Sequence, residues 1–406
     1  MPSLLRHRTA SPSIALAAVT ALGLGAPACG GDDEFVADGA VVIDVDAAAP
    51  IDAPADPDAA PDDAAGTDAA VGPTATAFIT AGEFGSPGVV ATLTLPQLVV
   101  THDAVDGVAG SDPYLRQFGD RIYIVNRDSG ENITIVQRDT LTLVDQFATG
   151  PGSNPQDVAV KGDLLYVAGL ALDGVLVIDT TDRSTTTIDL SGLDSVDGHP
   201  DCVSLYLVGE LLYAVCGQLD ETFTARGPGK VAVIDTGDDS VIDSFELDAA
   251  NPTGLLQPLG DDLLIATTPS YTDYSIGCLD RIATGGTPSA SCLVANAQLA
   301  GYANRYQVGP GGTTLWINVS AFDDQFNSFG KLVGWDLEEG ELLGAALSSS
   351  SQLIGDLAAC PDGHLVVADN TFGAAGIRVY DADGEVTTIA LDVGAVPKYG
   401  NNIVCW

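Results

Sequence analysis

The runs Leu165-Tyr166-Val167-Ala168-Gly169 and Val175-Leu176-Val177-Ile178-Asp179-Thr180 decide how this chain folds. Each is apolar almost throughout, too short for a stable helix, and bounded by glycine or acidic turn residues. That pattern marks short apolar strands. The first run has six counterparts: Phe78 to Gly82, Ile122 to Asn126, Leu212 to Cys216, Leu263 to Thr267, Leu315 to Val319 and Leu365 to Asp369. Successive copies start 43 to 52 residues apart. Seven copies at this period predict a seven-bladed β-propeller, each blade a four-stranded antiparallel sheet.

Each copy brings companions. A strand precedes it, as in Asp157-Val158-Ala159-Val160, joined by the turn Lys161-Gly162-Asp163. A third strand closed by an acidic turn follows, as in Val231-Ala232-Val233-Ile234-Asp235-Thr236 or Ile377-Arg378-Val379-Tyr380-Asp381-Ala382. A fourth follows in turn, such as Ser184 to Leu190 or Val386 to Leu391. Short Gly/Asp turns between them suit hairpins. Blade five departs: its third strand, expected near Ser275 to Ile282, lacks the apolar-Asp signature.

The first copy has no inner strand before it, whereas Asn401-Asn402-Ile403-Val404-Cys405-Trp406 reads as an inner strand without a blade. Residues 401 to 406 are therefore expected to pair with the strand at 78 to 82 and shut the ring, which removes two sheet edges. The repeated Leu-Tyr-Val-Ala and Val-Leu-Val-Ile-Asp-Thr units resemble the YVTN-type and NHL-type propeller repeats of bacterial surface and periplasmic proteins. Asn154-Pro155-Gln156-Asp157 and Asn251-Pro252-Thr253-Gly254 resemble the loops leading into their inner strands. The resemblance covers residues 76 to 406 and implies a fold; the family mixes binding proteins, scaffolds and enzymes.

Residues 1–28 read as a secretory signal peptide: Arg6 and Arg8, an apolar run from Ile14 to Gly25, then Ala26-Pro27-Ala28 before Cys29. The site resembles a bacterial lipobox, which implies lipidation of Cys29; the alternative is an ordinary signal peptide with an incidental cysteine. Residues 29–74 read as a tether, because Asp44 to Ala70 is almost wholly Asp, Ala and Pro and cannot bury enough apolar surface to offset ordering entropy. Residues 75–406 are the propeller. The expected address is the cell envelope, as an outer-membrane lipoprotein facing the periplasm or the surface.

The formal charge is −41. Residues 32 to 73 hold 12 acids and no base, and the signal holds two arginines, so about 31 negative charges fall on the rest. This argues against nucleic acid and anionic lipid as partners. The only membrane contact expected is through the N-terminal lipid, and the chain is expected to be a monomer.

Six cysteines remain after Cys29, an even number suited to disulfides in an exported protein. Cys202 and Cys216 are symmetric about Gly209, and Cys278 and Cys292 about Gly285, so each pair is expected to face across a hairpin. Cys360 and Cys405 remain, at neighbouring inner strands, where a bond would lock the ring. No Cys-x₂-Cys pair supports zinc, and no metal or cofactor is expected.

No motif with a fixed catalytic geometry surrounds His102, His199 or His364. His102 is assigned to an outer strand and His364 to a rim. Three tryptophans, Trp316, Trp335 and Trp406, without recurrent docking motifs disfavour a quinone-cofactor dehydrogenase. Ligand contacts are expected where loops converge on the channel: Arg116, Gln156, His199, Asp201, Arg305, Tyr306, Lys398 and Tyr399, with Tyr114, Asn154, Asn251, Tyr302 and Asn304 nearby. Arg116, Arg305 and Lys398 are scarce bases at equivalent loop positions. They predict either a cationic, aromatic-rimmed pocket for an anionic or sugar-like ligand, or neutralisation of crowded carboxylates. Acidic turns such as Asp235 to Asp239 and Asp381 to Glu385 read as hairpin turns rather than Ca²⁺ sites. The expected function is a non-catalytic module binding a small molecule, glycan or envelope protein; the alternative is a propeller hydrolase or lactonase with a polar or metal site in the channel.

Overall fold

The computed structural model describes residues 74–81, 87–110, 112–127, 130–194, 196–323, 325, 327–344, 348–350, 354–370, 376–381, 384–389 and 402–406. The signal peptide, Cys29, almost all of the tether, Lys398 and Tyr399 lie outside them. The described residues form seven antiparallel sheets, the blades of a propeller. Six blades are built from consecutive strands. Their inner strands are Pro113–Phe118, Pro155–Lys161, Cys202–Val208, Pro252–Leu259, Tyr302–Val308 and Ile354–Ala359. Each packs against the inner strand of the next blade.

Blade one is closed from the far end of the chain. Its inner strand is Asn402–Cys405, paired with Ala75–Ala81 so that Phe78 lies opposite Val404 and Ile79 opposite Ile403. Thr76 and Trp406 exchange backbone hydrogen bonds of 2.8 and 3.1 Å. The expected closure is present.

Seven apolar clusters hold the ring, one at each interface between adjacent blades. The reason lies in strand geometry: alternate side chains point to opposite faces. In Leu211–Cys216, Leu212, Ala214 and Cys216 face blade three, while Tyr213 and Val215 face blade five. Both faces are buried, so the strand is apolar without a gap, the property that made the repeat visible.

All three cysteine pairs are disulfides: Cys202–Cys216, Cys278–Cys292 and Cys360–Cys405. Cys202 stands directly opposite Cys216, with Gly209 in the turn at φ 60°. Cys278 and Cys292 differ from the expected arrangement. A bulge between Leu279 and Asp280 sets Cys278 opposite Ala295 and Cys292 opposite Asp280, so this bridge runs diagonally. It ties together blade five's third and fourth strands, Cys278–Ala283 and Ser289–Ala295. His102 falls just beyond the outer strand Val99–Thr101 rather than within it.

The acidic turns are explained by their own hydrogen bonds. Asp179, Asp235 and Asp336 each accept the backbone N–H two residues on, at 2.7 to 2.8 Å. These are Asx turns, which pin a hairpin; Ala382 and Asp383 of the turn Asp381 to Glu385 lie outside the described residues.

Candidate functional site

Arg116 and Arg305 lie within inner strands, not in the loops expected for them. Two arginine-centred networks fill the channel. Arg116 donates through Nε and Nη2 to Asp157 at 2.8 and 2.6 Å, and through Nη1 to the Leu256 carbonyl at 2.9 Å. Nη2 also reaches Ser204 Oγ and the Leu205 carbonyl, each at 3.3 Å. One guanidinium in blade two thus joins blades three, four and five. Asp157 accepts further from Ser204 Oγ at 2.6 Å and Leu205 N–H at 2.8 Å. Burial opposes the charge on Arg116, but Asp157 outweighs it and keeps the guanidinium protonated. Such bidentate pairing satisfies both ions where water is excluded.

Arg305 serves the other side. Its Nε is 3.5 Å from Asp356 Oδ1, and its guanidinium lies 4.8 Å from the centre of the Tyr114 ring. Asp356 accepts the Ile403 N–H at 2.8 Å, which ties blade seven to the closing strand. Burial pushes the Asp356 carboxyl up to about 6, against the pull of Arg305 and of that N–H. Tyr306 donates to the Leu255 carbonyl at 3.1 Å and accepts the Ala266 N–H at 3.0 Å. Together the two networks touch every blade.

Tyr114 meets two cations, with Arg127 also close at 3.8 Å from its ring centre. Burial raises the phenol pKa, but Arg127 and Arg305 outweigh burial and hold it below its ordinary value. Arg127 pairs with Asp112 and donates to Gln156 Oε1 at 2.7 Å; Gln156 in turn donates to Asn154 Oδ1 at 2.8 Å.

Beyond the Arg116 level, toward the C-terminal ends of the inner strands, lies a cavity of about 330 Å³. Beside Arg116 and Tyr306, its polar lining comes from Gln117, Gln257, Gln307, Tyr206, Arg305 and Asp356. The Gln307 Oε1 accepts the Ala359 N–H, leaving its NH₂ free to donate. Arg305 Nε is buried without a hydrogen bond. Carboxamides offer both a donor and an acceptor, so this wall matches hydroxyl or amide groups better than bare charge.

The structure brings Arg116, Arg305 and Tyr306 together around this cavity and sets Gln156 beside Arg127 at the opposite mouth. His199 and Asp201 are not part of the cavity wall. His199 is exposed, its Nδ1 3.0 Å from Asp173. Asp201, Asn154 and Asn251 share a backbone role: each has a positive φ (54°, 44° and 54°) just before an inner strand. Their carbonyls accept from Gly217, Leu170 and Thr268, the residues following the second strand of the same blade. Asx residues tolerate this left-handed geometry. Burial pushes the Asp201 carboxyl up to about 7; the Leu219 N–H opposes this, while Asp197 and Asp194 add to it. Among the described residues, no three His, Cys, Asp or Glu side chains are grouped to hold a metal.

Sequence reasoning missed Arg127, Asp356, Tyr206 and the three glutamines. The glutamines had a signal: each is a polar residue near the exit of an otherwise mainly apolar inner strand.

No protein-family model matches the chain, and no curated protein matches it. Solved structures with a similar fold include AztD from Citrobacter koseri: 13% identity, 82% of this chain, 98% of that chain, TM-score 0.50. Another is the β-propeller domain of Cps50 (Swd1) from Myceliophteria thermophila: 12% identity, 79% of this chain, 90% of that chain, TM-score 0.50. At these identities the likeness is one of fold.

Proposed function

We propose that this chain is a non-catalytic binding module of the cell envelope, tethered by a lipid on Cys29, with YVTN-type repeats that form a receptor for a small uncharged ligand rich in hydroxyl or amide groups. One observation carries the reading: the channel cavity walled by Gln117, Gln257, Gln307 and Tyr206. Its volume of about 330 Å³ falls at the small end of the range for ligand pockets. Arg116 is already neutralised by Asp157, and Arg305 faces Asp356, so the wall carries little net charge. The anionic ligand anticipated from the bases alone therefore loses support relative to a sugar-like one.

Thermal-shift and calorimetric titration of the secreted protein with neutral sugars, polyols and amides, beside carboxylate and phosphate compounds, tests this reading. A neutral compound should bind, and Gln257→Leu should weaken it at least tenfold while the unfolding temperature stays put. Binding confined to the anionic compounds, or binding indifferent to Gln117 and Gln257, overturns it.

Asp356 favours a second reading. A buried carboxyl titrating near 6 on a cavity wall has the properties of a general base. Turnover of a lactone or ester that Asp356→Asn abolishes would make the chain a hydrolase.

A further inference from the structure

Eleven large apolar residues are exposed among the described residues; apart from Val196 and Leu343 in other connections, they fall into two groups. Val99, Leu143, Val144, Val241 and Ile242 sit on outermost strands, where scattered exposure is ordinary. The three aromatic ones do not: Phe223 (53% exposed), Tyr271 (49%) and Phe329 (46%), joined by Ile276 (49%), lie in or beside the loops between the second and third strands of blades four, five and six. Antiparallel order sets these loops at the end of the ring where the chain enters its inner strands, opposite the mouth lined by Gln117 and Gln257.

Hydrogen bonds and ring contacts order the loops of blades four and five. Phe223 is at the tip of a small hairpin, with φ 58°, a conformation costly for a bulky side chain. Asp220 fixes that hairpin by accepting the N–H groups of Thr222 and Thr224 at 2.8 and 3.1 Å. Tyr271 rests edge-on against Tyr302 and Phe322, with ring centres 5.4 and 6.4 Å away. The Tyr274 hydroxyl accepts the Phe322 N–H at 2.6 Å, which joins blade five to blade six. The hairpin bearing Phe329 is longer than its counterparts: its strands Thr314–Phe322 and Ser328–Asp336 run nine residues each.

Net charge on these loops is negative. Asp220, Glu221, Asp273 and Asp323 stand beside the aromatic groups, and the single base, Arg226, is paired with Asp220. We propose that the loops of blades four to six form a docking surface for a partner protein that presents apolar side chains flanked by lysine or arginine. Exposed aromatic groups on loops at one end of the ring suit a protein interface, and the hydrogen bonds and ring contacts that order two of these loops lower the entropy lost on binding. A basic rim on the partner complements the carboxylates; an acidic partner or an anionic membrane is repelled.

The test uses the secreted protein and a labelled peptide of alternating lysine and leucine, with a glutamate–leucine counterpart. Fluorescence anisotropy at physiological salt should show the basic peptide binding and the acidic one failing. Phe223→Ser/Tyr271→Ser/Phe329→Ser leaves the charge unchanged and should weaken binding at least tenfold; Phe223→Ser alone, at a loop tip, should weaken it measurably with an unaltered unfolding temperature. Equal affinity for wild type and triple variant overturns the proposal, because attraction would then be general charge. So does sedimentation showing self-association that the triple variant abolishes, since the occupant would be a second copy. Ligands of the channel cavity should bind the triple variant as they bind wild type.

Discussion

Arg116 in blade two donates to the Leu256 carbonyl in blade five across 2.9 Å, so one side chain spans the propeller axis. The channel at that level is a buried ion network. Replacing Arg116 by Met strands the fully buried Asp157 without its cation. Losing one partner of a buried pair costs about 3–5 kcal/mol. Urea denaturation should show that loss, and Arg116→Met/Asp157→Asn should recover part of it.

The disulfides should differ in weight. Cys360–Cys405 encloses a sequence separation of 45, against 14 for Cys202–Cys216. By chain entropy, each contributes about 3–4 kcal/mol, the longer loop about 1 kcal/mol more. Paired serine substitutions, compared by denaturation under oxidising conditions, should rank the Cys360–Cys405 pair as the more damaging. The reverse order would mean that the closing strand is held mainly by its backbone pairing.

Asp201 gives a pH dependence with an unusual sign. Its carboxyl titrates at about 7 in the fold and near 3.9 when unfolded. The folded chain therefore binds this proton more tightly, and the stabilisation is complete below pH 4 and lost as pH rises through 7. Asp356 and Asp280, each raised to about 6, act in the same direction. The protein should melt higher at pH 5 than at pH 8, and Asp201→Asn should shrink the difference. An unchanged difference would place the titrating group elsewhere.

Asn251 separates a backbone role from a ligand role. At φ 54°, Asn251→Gly keeps the backbone geometry and should cost only the hydrogen bond that Nδ2 donates to the Thr268 carbonyl, about 1 kcal/mol, while Asn251→Val should cost about 1–2 kcal/mol more. Both proteins should bind channel ligands normally; a binding defect in the Gly variant would return this side chain to the site.

Blade number and two cysteine pairs were legible from local pattern, apolar runs such as Leu211–Cys216 and turn symmetry about Gly209 and Gly285; closure and the Cys360–Cys405 pair followed from what the repeat left over, an inner strand without a blade and two unassigned cysteines. The site was less legible. Arg116 meets Leu256 across 140 residues of chain, and nothing near either residue encodes that meeting. The diagonal Cys278–Cys292 bridge depends on a bulge, which shifts register by one residue and leaves no clear trace in composition. Arg127 lies beside Tyr114 only because the second strand of blade two returns it there, so a scan of the loops leading to the inner strands passes it by.

Closure by Asn402–Cys405 also orders events in time. Six blades draw all their strands from consecutive chain and can assemble from neighbours as soon as each is available. The first cannot, since Phe78 waits for Val404. During synthesis the leading blade therefore keeps a bare edge until the rest has followed, and contact between such distant residues is slow to form. A chaperone that shields open strands would have most to do there, and a nascent chain stalled before residue 402 should be the form most readily degraded.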